Sequence, residues 1–375
     1  MTIGIRRAAG IGAVAALLAT GWIGATGPAS AQGWDAARAQ LVAEAEKEGS
    51  LIVYSQPNLA AREFVQKEWT KAFPKIAISL SVLGTPQLVV RVKTERAADR
   101  YLWDVGFSGY NAGYALYPDG IVVPVMPEIL DPDVKRPEVW GGWDRAFVDK
   151  PAKYVFSMSR FIKGVYYDAR NISPDKAKRD GIRLLTDPEY KGKLIWHDPS
   201  IPGSGDMYPF FIRRRLGDEG LKKVIVDQAI VYAAQQQMVV EALVRGTAWI
   251  GMGPAVTGLL GQYRNAGVPL DVRGMGNSPE LNDMSIGGSC LFVFDRRPHP
   301  AATRLFVNWI LSKDVQYGLA KAQEQNSRRL DVPSVASPDE TAVPGADYLE
   351  NQREEYQELA QSAVRLQAEL RKQVK

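Results

Sequence analysis

Short runs of β-branched residues alternate with amphipathic stretches of helical period from Ser50 onward. This alternation predicts βαβ units on a mostly parallel sheet, because each helix carries the chain back to begin the next strand in the same direction. The first series predicts strands at residues 51–54, 76–82 and 104–107 and helices at residues 60–73 and 85–98. The predicted fold class is therefore α/β, with sheets flanked by helices.

A second series of strands and helices begins after the segment that spans residues 154–171. It predicts strands at residues 193–196, 248–251 and 285–294, and helices that end at Arg215 or span residues 221–229, 239–245 and 301–311. Gly246 follows one of these helices, as glycine commonly does at a helix end. Residues 332–346 are rich in Pro, Ala and Ser and predict a linker.

The last predicted helix carries an apolar stripe, which indicates a packed face. The stripe consists of Leu349, Tyr356, Leu359, Ala363, Leu366 and Leu370. A coiled-coil seam would need a longer repeat, so packing along the outside of a lobe is the preferred interpretation.

The first thirty-one residues have the composition of a cleaved export signal. An arginine pair precedes an apolar run over residues 8–25, and the small residues Ala29 and Ala31 occupy the positions that a signal peptidase inspects. We expect the mature chain to begin at Gln32 in the periplasm. A transmembrane anchor is the alternative, but glycines dilute the apolar run and a cleavage site follows it. Sec and twin-arginine export both stay open.

Composition excludes several classes of function. Acidic and basic residues are interspersed around a formal net charge of +4, so neither a nucleic-acid face nor a polybasic membrane tether is predicted. Cys290 is the only cysteine, which rules out an intramolecular disulfide. His197 and His299 are the only histidines, so a metal site built from several imidazoles is excluded. The length of 375 residues predicts two hydrophobic cores.

Small and polar residues follow each predicted strand of the first series. These residues are Ser55 and Gln56, then Gly84 and Thr85, then Ser108, Gly109 and Tyr110. Ligands of open α/β sheets bind just beyond the carboxyl ends of the strands. The sequence therefore predicts three adjacent ligand-binding loops.

Four longer stretches stand out in order along the chain. They are EKEGSLIVYS at 46–55, WDVGFSG at 103–109, DPEYKGKLIWHDPS at 187–200 and PHPAATRLFVNWILSKDVQ at 298–316. In this order, behind an export signal, they resemble the family 1 extracellular solute-binding proteins of ABC importers, particularly the branch that includes ferric-iron-binding proteins. The resemblance covers nearly all of the mature chain. It implies a type II periplasmic binding protein fold, in which two α/β lobes joined by two crossover segments close on a ligand.

The resemblance also implies the domain organisation and the partners. Residues 1–31 would be the signal, residues 32–153 and 285–375 would form lobe one with the C-terminal helix, and residues 154–284 would form lobe two. The implied function is capture of a small solute and its delivery to a permease and ATPase complex in the inner membrane. We expect a monomer without a cofactor or nucleic-acid partner. Presentation of the ligand to a sensor uses the same fold and stays open.

Helix starts at the cleft are the expected ligand contacts, because their backbone N–H groups lack partners within the helix and attract anionic oxygens. For Thr85 and Ser204, capping of their own helices is an equal alternative. Arg329 resembles an arginine that follows the return helix near the cleft in this family, and a solvated basic surface is the alternative. The candidate ligand-binding residues are Ser55, Gln56, Thr85, Ser108, Gly109, Tyr110, Ser200, Ser204, Gly205, Gly253, Pro254 and Arg329.

The resemblance raises the question of iron, which the ferric members hold with phenolate oxygens, typically from an adjacent tyrosine pair in lobe two. The corresponding stretch here, residues 251–263, lacks that pair, and Tyr263 lies too far along to replace it. Tyr166 and Tyr167 are adjacent, but successive side chains of a strand point to opposite faces. A small organic or phosphorus-containing anion is therefore favoured over ferric iron, and no metal site is predicted.

An enzyme is the competing class of function. Asp206, Glu241 and Asp283 are carboxylates suited to acid–base chemistry, but nothing in the sequence brings two of them together. We therefore expect a binding protein with no catalytic residues.

Overall fold

The computed structural model describes residues 28–201, 205–253, 260, 263, 266–336 and 341–374. The helix described over Pro28–Glu48 contains the expected cleavage site at Ala31. Residues 1–27 of the expected signal lie outside the described residues. No helix in the described ranges is long and apolar enough to cross a membrane.

The predicted helices are present with shifted ends. The helices of the described ranges are α1 (Pro28–Glu48), α2 (Leu59–Ala72), α3 (Thr85–Ala97), α4 (Tyr110–Leu116), α5 (Trp143–Ala146), α6 (Pro174–Asp180), α7 (Tyr208–Lys222), α8 (Gln236–Arg245), α9 (Pro300–Ile310), α10 (Lys313–Gln323) and α11 (Gln357–Arg371). Gly246 ends α8 with φ of +70°, as predicted. Gly217, with φ of +69°, interrupts α7 between the helix expected to end at Arg215 and the one expected over residues 221–229, and that second helix ends in a π-helical turn, Lys223–Asp227.

The strands also follow the predicted alternation. They are β1 (Ser50–Ser55), β2 (Ala77–Ser81), β3 (Val105–Ser108), β4 (Val122–Val123), β5 (Phe156–Ser157), β6 (Ser159–Lys163), β7 (Tyr166–Asp168), β8 (Leu194–His197), β9 (Val231–Ala233), β10 (Ile250–Met252), β11 (Val272–Gly274), β12 (Asp283–Ser285), β13 (Cys290–Phe294) and β14 (Asn326–Ser327). The α/β fold class is confirmed.

The first sheet has the strand order β2-β1-β3-β13-β4, with β5 paired to β13. β1 lies between β2 and β3 and runs parallel to both, with Ser50 opposite Ala77 and Val53 opposite Val105. β13 is antiparallel to β3, β4 and β5. Parallel pairing of β1 and β3 brings their carboxyl ends to one edge of the sheet.

The second sheet has the order β11-β7-β10-β8-β9. β8 runs parallel to β9 and β10, whereas β7 is antiparallel to β10 and β11. A small antiparallel sheet, β12-β6-β14, contains segments that connect the two larger sheets. We refer to the first sheet and its helices as lobe one, to the second as lobe two, and to the small sheet as the hinge sheet.

The strand predicted over residues 285–294 is divided between two sheets. β12 ends at Ser285 in the hinge sheet, and β13 begins at Cys290 in lobe one. Gly287 between them has φ of +72°, and a Cβ there would lie 1.9 Å from the Ser159 hydroxyl. The chain bends at this glycine because only a residue without a side chain fits that conformation and space.

Each lobe has its own hydrophobic core, as the chain length predicts. In lobe one, Trp69 of α2 is fully buried against Phe306 of α9, and its indole N–H donates to the Ile76 carbonyl at 3.0 Å. In lobe two, Trp196 of β8 is fully buried and donates to the Gly205 carbonyl at 3.1 Å. Both large side chains are thus buried without an unpaired donor.

The C-terminal helix α11 packs on lobe two, whereas its expected boundary assigned it to lobe one. Ala360 and Ala363 pack with Met207 and Phe210 of lobe two. Leu370 joins the core of the same lobe. An apolar face can be recognised in a sequence, but helices of either lobe could receive it, so the sequence did not identify its partner.

Five of the six residues of the predicted stripe pack in the apolar clusters of lobe two, namely Leu349, Tyr356, Ala363, Leu366 and Leu370. Leu359 is 53% exposed, whereas Ala360 and Gln367 are buried. The helix begins only at Gln357, so a helical period cannot be extended back to Leu349.

The segment before α11 connects lobe one to the hinge sheet. The Tyr117 hydroxyl of lobe one donates to Glu354 Oε1 at 2.8 Å. The Ser285 hydroxyl of β12 donates to Gln352 Oε1 at 2.7 Å. We refer to residues 341–356 as the C-terminal strap.

Candidate functional site

The carboxyl ends of β1 and β3 lie side by side, and their polar residues are buried. The Gln56 backbone N–H donates to the Phe107 carbonyl at 2.8 Å. The Gln56 side chain donates to the Ser289 hydroxyl at 2.9 Å, and that hydroxyl donates to Gln323 at 2.8 Å. Ser55 is completely buried, and its hydroxyl has no hydrogen-bond partner among the described residues. Ser55 and Gln56 are therefore held inside lobe one and are not presented on an open loop.

The start of α4 follows β3 directly. Ser108 is buried and pairs with Cys290 across the sheet. Gly109 is the N-cap residue of α4 and makes no side-chain cap. A Cβ on Gly109 would meet nothing within 4 Å, so the space beside it is open. The first N–H groups of α4, beginning with Tyr110, therefore have no capping side chain.

The start of α3 is capped by its own chain. Gly84 is the N-cap residue, and its N–H donates to Gln87 Oε1 at 3.2 Å. Thr85 is the first helical residue, so it does not have the capping role that was considered for it. Thr85 is half-buried and does not line the cavity described below.

In lobe two, two glycines allow the ends of β8 and β10 to meet. A Cβ on Gly205 would lie 1.9 Å from the His197 carbonyl oxygen, and a Cβ on Gly253 would lie 2.8 Å from His197 Cβ. The Gly205 N–H donates to His197 Nδ1 at 3.2 Å. Close packing of the two loops therefore requires glycine at both positions. Ser204 and Pro254, which were predicted beside them, lie outside the described residues.

Ser200 belongs to a turn that α11 stabilises. Its backbone N–H and hydroxyl donate to Asp198 Oδ1 at 2.9 and 2.7 Å. Arg371 of α11 pairs with Asp198 at 2.8 Å. Burial alone would raise the pKa of Asp198, but the hydrogen bonds from Ser200 and Arg371 outweigh it and lower that pKa.

A cavity of about 370 Å³ lies between the start of α4 and lobe two. Its lining includes Tyr110 and Asn111 from lobe one, and Ser200, Asp206 and Met207 from lobe two. Burial raises the pKa of Tyr110, and the nearby charge of Asp206 raises it further. Tyr110 is therefore a neutral hydrogen-bond donor at physiological pH. We refer to this space as the interlobe cavity.

The sequence did not predict that α11 forms a wall of the interlobe cavity. Gln357, Gln361 and Arg365 line it and follow one another at intervals of four residues. Residues four apart share one face of a helix. The spacing of these three polar residues could therefore have predicted a second, polar face of α11 in addition to the apolar stripe. Asn111 was also missed, because the prediction stopped at the first residue of α4.

Arg329 lies inside lobe one and does not line the interlobe cavity. Its side chain is fully buried, and its Nε donates to Asp331 at 2.7 Å. Its other nitrogens donate to the Leu311 carbonyl at 3.1 Å and to Asp133. The guanidinium also lies 5.7 Å from the Trp140 ring. These contacts correct the expectation of a ligand role, because two carboxylates and a carbonyl already use the donors of Arg329.

The tyrosines considered for iron do not converge. Tyr166 packs in the cluster that contains Val239, whereas Tyr167 packs in the cluster that contains Trp196. The two adjacent side chains thus occupy opposite faces of the lobe-two sheet. Tyr263 packs partly against the Tyr166 cluster. Within the part of the chain that the structure describes, no group of three or more His, Cys, Asp or Glu could hold a metal ion.

The three candidate acid–base carboxylates have separate environments. Asp283 is fully buried and pairs with Arg214 at 2.8 Å and Arg215 at 2.7 Å. Glu241 accepts a hydrogen bond from the amide four residues before it on α8. Asp206 lines the interlobe cavity. The charge of Asp283 is therefore used in structural ion pairs. No two of these three carboxylates lie together as an acid–base pair.

Three solved structures illustrate what the fold is similar to. Iron-bound HitA from Pseudomonas aeruginosa has a TM-score of 0.61 at 15% identity and covers 86% of this chain and 99% of its own. The ferric binding protein from Campylobacter jejuni has a TM-score of 0.64 at 16% identity, covering 85% and 99%. AfuA from Actinobacillus pleuropneumoniae, with exogenous fructose-6-phosphate bound, has a TM-score of 0.54 at 16% identity, covering 86% and 97%.

The likeness is one of fold. No family model matches the chain, and no curated protein matches it in sequence. The structural matches nevertheless extend over nearly the whole of each known protein. With two α/β sheets joined through a small sheet of connecting strands, the chain has the type II periplasmic binding protein fold.

Proposed function

We propose that this protein is the solute-binding component of an ABC importer and captures a small solute between its lobes. The observation that carries the proposal is the cavity that Tyr110 and Asn111 of lobe one share with Asp206 of lobe two. A solute there gains contacts from both lobes only when they close. Binding would therefore shift an open–closed equilibrium, which a permease can recognise.

The proposed solute is a small organic or phosphorus-containing anion that also carries hydroxyl groups. The uncapped N–H groups of α4 favour an anionic oxygen, and the neutral Tyr110 hydroxyl is a further donor. Asp206 repels an anion but accepts hydrogen bonds from hydroxyl groups. We therefore expect the anionic group beside α4 and hydroxyl groups towards Asp206. The fructose-6-phosphate bound by AfuA has both kinds of group.

Ferric iron is the second candidate, because HitA and the Campylobacter jejuni protein are described as iron-bound and ferric-binding. Ferric sites need several anionic oxygens. Tyr166 and Tyr167 occupy opposite faces of their sheet, and burial raises the pKa of both Tyr110 and Tyr208. Phenolate ligands are therefore disfavoured here, and we rank iron below the organic anion.

The proposal includes the location and the partners. An export signal over residues 1–31 would direct the protein to the periplasm. There it would act as a monomer and deliver its solute to an inner-membrane permease and ATPase. Presentation of the solute to a sensor is the alternative use of the same closed state.

Mass spectrometry of the small molecules released from natively purified protein tests the proposal. An anionic, hydroxylated solute at about one equivalent is the expected result, and calorimetry would then measure its affinity. Recovery of iron, with a visible tyrosinate band on adding ferric citrate, would replace the proposed solute by the second candidate. Turnover of the solute would contradict a binding role.

A pair of variants tests whether the solute occupies the interlobe cavity. Asn111→Trp fills the cavity from lobe one, and we expect it to weaken binding about tenfold or more. Gln66→Trp places the same side chain at an exposed position of α2 and is the matched control. Small-angle scattering should show compaction of wild type with solute. Equal affinity of the two variants for the solute would show that the solute does not bind in the interlobe cavity.

A further inference from the structure

A second cavity, of about 630 Å³, lies against the hinge sheet. Its lining includes Trp140 and Arg145 of lobe one, Arg160 of β6, Arg328, and Tyr348 and Glu350 of the C-terminal strap. It shares no lining residue with the interlobe cavity. Its volume is within the range of sites that hold small organic ligands. We refer to it as the hinge cavity.

Two of the three arginines of the hinge cavity have partners. Arg328 pairs with Glu350 at 2.6 Å and donates to the Ser157 hydroxyl at 3.1 Å. Arg145 pairs with Asp347 at 3.0 Å, where both side chains are largely exposed. Among the described lining residues, Glu350 carries the single carboxylate, and Arg328 already uses it.

Arg160 is different, because its guanidinium has no hydrogen bond or ion pair with any residue that the structure describes. It is half-buried, and its backbone lies in β6 opposite Asn326. Burial lowers the pKa of Arg160 to about 10, and the charges of Arg328 and Arg145 lower it further, while the charge of Glu350 offsets part of this lowering. A half-buried cation beside two others is destabilised, and an anion in the cavity would relieve that cost.

The remaining lining indicates the body of the ligand. Trp140 and Tyr348 are aromatic, and both are buried. Aromatic walls bind flat or apolar groups, while the five N–H donors of a guanidinium match the oxygens of a carboxylate or phosphate. We propose that the hinge cavity is a second binding site, for a small aromatic carboxylate or phosphate ester whose anionic group pairs with Arg160.

Calorimetry on the mature protein, with phenyl phosphate, benzoate and inorganic phosphate as separate probes, tests this site. The two aromatic anions should bind wild type, and phenyl phosphate should bind more tightly than inorganic phosphate because of the aromatic walls. Arg160→Gln should weaken phenyl phosphate about tenfold or more, the scale of a lost charge-assisted hydrogen bond. Arg183→Gln, at an exposed position of lobe two, should leave the affinity unchanged.

Two further measurements complete the test: binding by the interlobe-cavity variant Asn111→Trp, and chemical modification of Arg160 in wild type. Asn111→Trp should bind phenyl phosphate as wild type does, and loss of binding in that variant would assign the probe to the interlobe cavity instead. In wild type, phenyl phosphate should slow the modification of Arg160 by phenylglyoxal, which peptide mass spectrometry measures. This experiment uses no variant, so its result does not depend on whether a variant folds. Absence of binding up to about 10 mM, or unslowed modification of Arg160 at saturation, would overturn the proposal.

Discussion

Replacement of Arg329 by methionine is expected to destabilise the protein without acting on the ligand. The change removes a fully buried guanidinium and its bonds to Asp133, Asp331 and the Leu311 carbonyl. Breaking a buried ion pair costs about 3–5 kcal/mol. The carboxylates of Asp133 and Asp331 are 48% and 28% exposed, so water can hydrate them once the guanidinium is removed. The lower end of that energy range therefore applies. We expect a loss of about 3 kcal/mol, or roughly 5–10 °C in Tm.

Arg136→Met is the matched control. Arg136 contacts the same two carboxylates, at 2.6 Å to Asp133 and 3.6 Å to Asp331, but its side chain is 45% exposed. Exposed ion pairs contribute about 0–1 kcal/mol. Urea denaturation at neutral pH should therefore separate the two variants by about 2 kcal/mol or more. Equal stability of the two variants would refute the argument from burial.

The same pair gives a pH dependence. Burial alone would raise the pKa of Asp133 and of Asp331, but the hydrogen bonds and charge of Arg329 outweigh it and lower both. A lowered carboxylate pKa contributes stability that is present above the unfolded value and lost as the pH falls through the folded value. The stability gap between wild type and Arg329→Met should therefore narrow below the ordinary aspartate pKa of 3.8. A gap that widens on acidification would contradict this ion-pair account.

Three further predictions concern the glycines, the C-terminal helix and processing. Gly205→Ala should lower Tm because the new Cβ meets a backbone carbonyl at 1.9 Å, whereas Gly109→Ala, with open space around it, should leave Tm nearly unchanged; differential scanning fluorimetry compares them. Ala363→Asp should undock α11 and increase proteolysis of the C terminus, whereas Leu359→Asp at an exposed position should not. Intact mass of the exported protein should correspond to a chain that begins at Gln32, and retention of the preceding residues would contradict the compartment argument.

The local elements could be predicted from the sequence because their signals are local. The alternation from Ser50 identified β1, α2, β2, α3 and β3 to within one or two residues at most ends. Gly246 ended α8 because its positive φ is a property of one residue. The strand ends that carry Ser108 and Tyr110 were identified in the same way, since the carboxyl edge of a parallel sheet follows from strand order.

Partners in space could not be predicted from those signals. The family resemblance suggested Arg329 as a ligand contact, and nothing in the sequence singled out Arg160. The structure encloses Arg329 between two carboxylates and leaves Arg160 beside a cavity without an acidic partner among the described residues. The different environments of the two arginines depend on which residues, distant in sequence, the fold brings next to them. The local sequence pattern does not contain that information.

The sequence by itself determined the α/β class and the carboxyl ends of the first strands, because hydrophobic period and helix-ending residues act over short distances. Only the tertiary structure decided that α11 packs on lobe two and walls the interlobe cavity. Burial of an apolar helix face is favourable on any complementary apolar surface. The docking position of α11 is therefore decided by the shape of the surface that the folded lobes present.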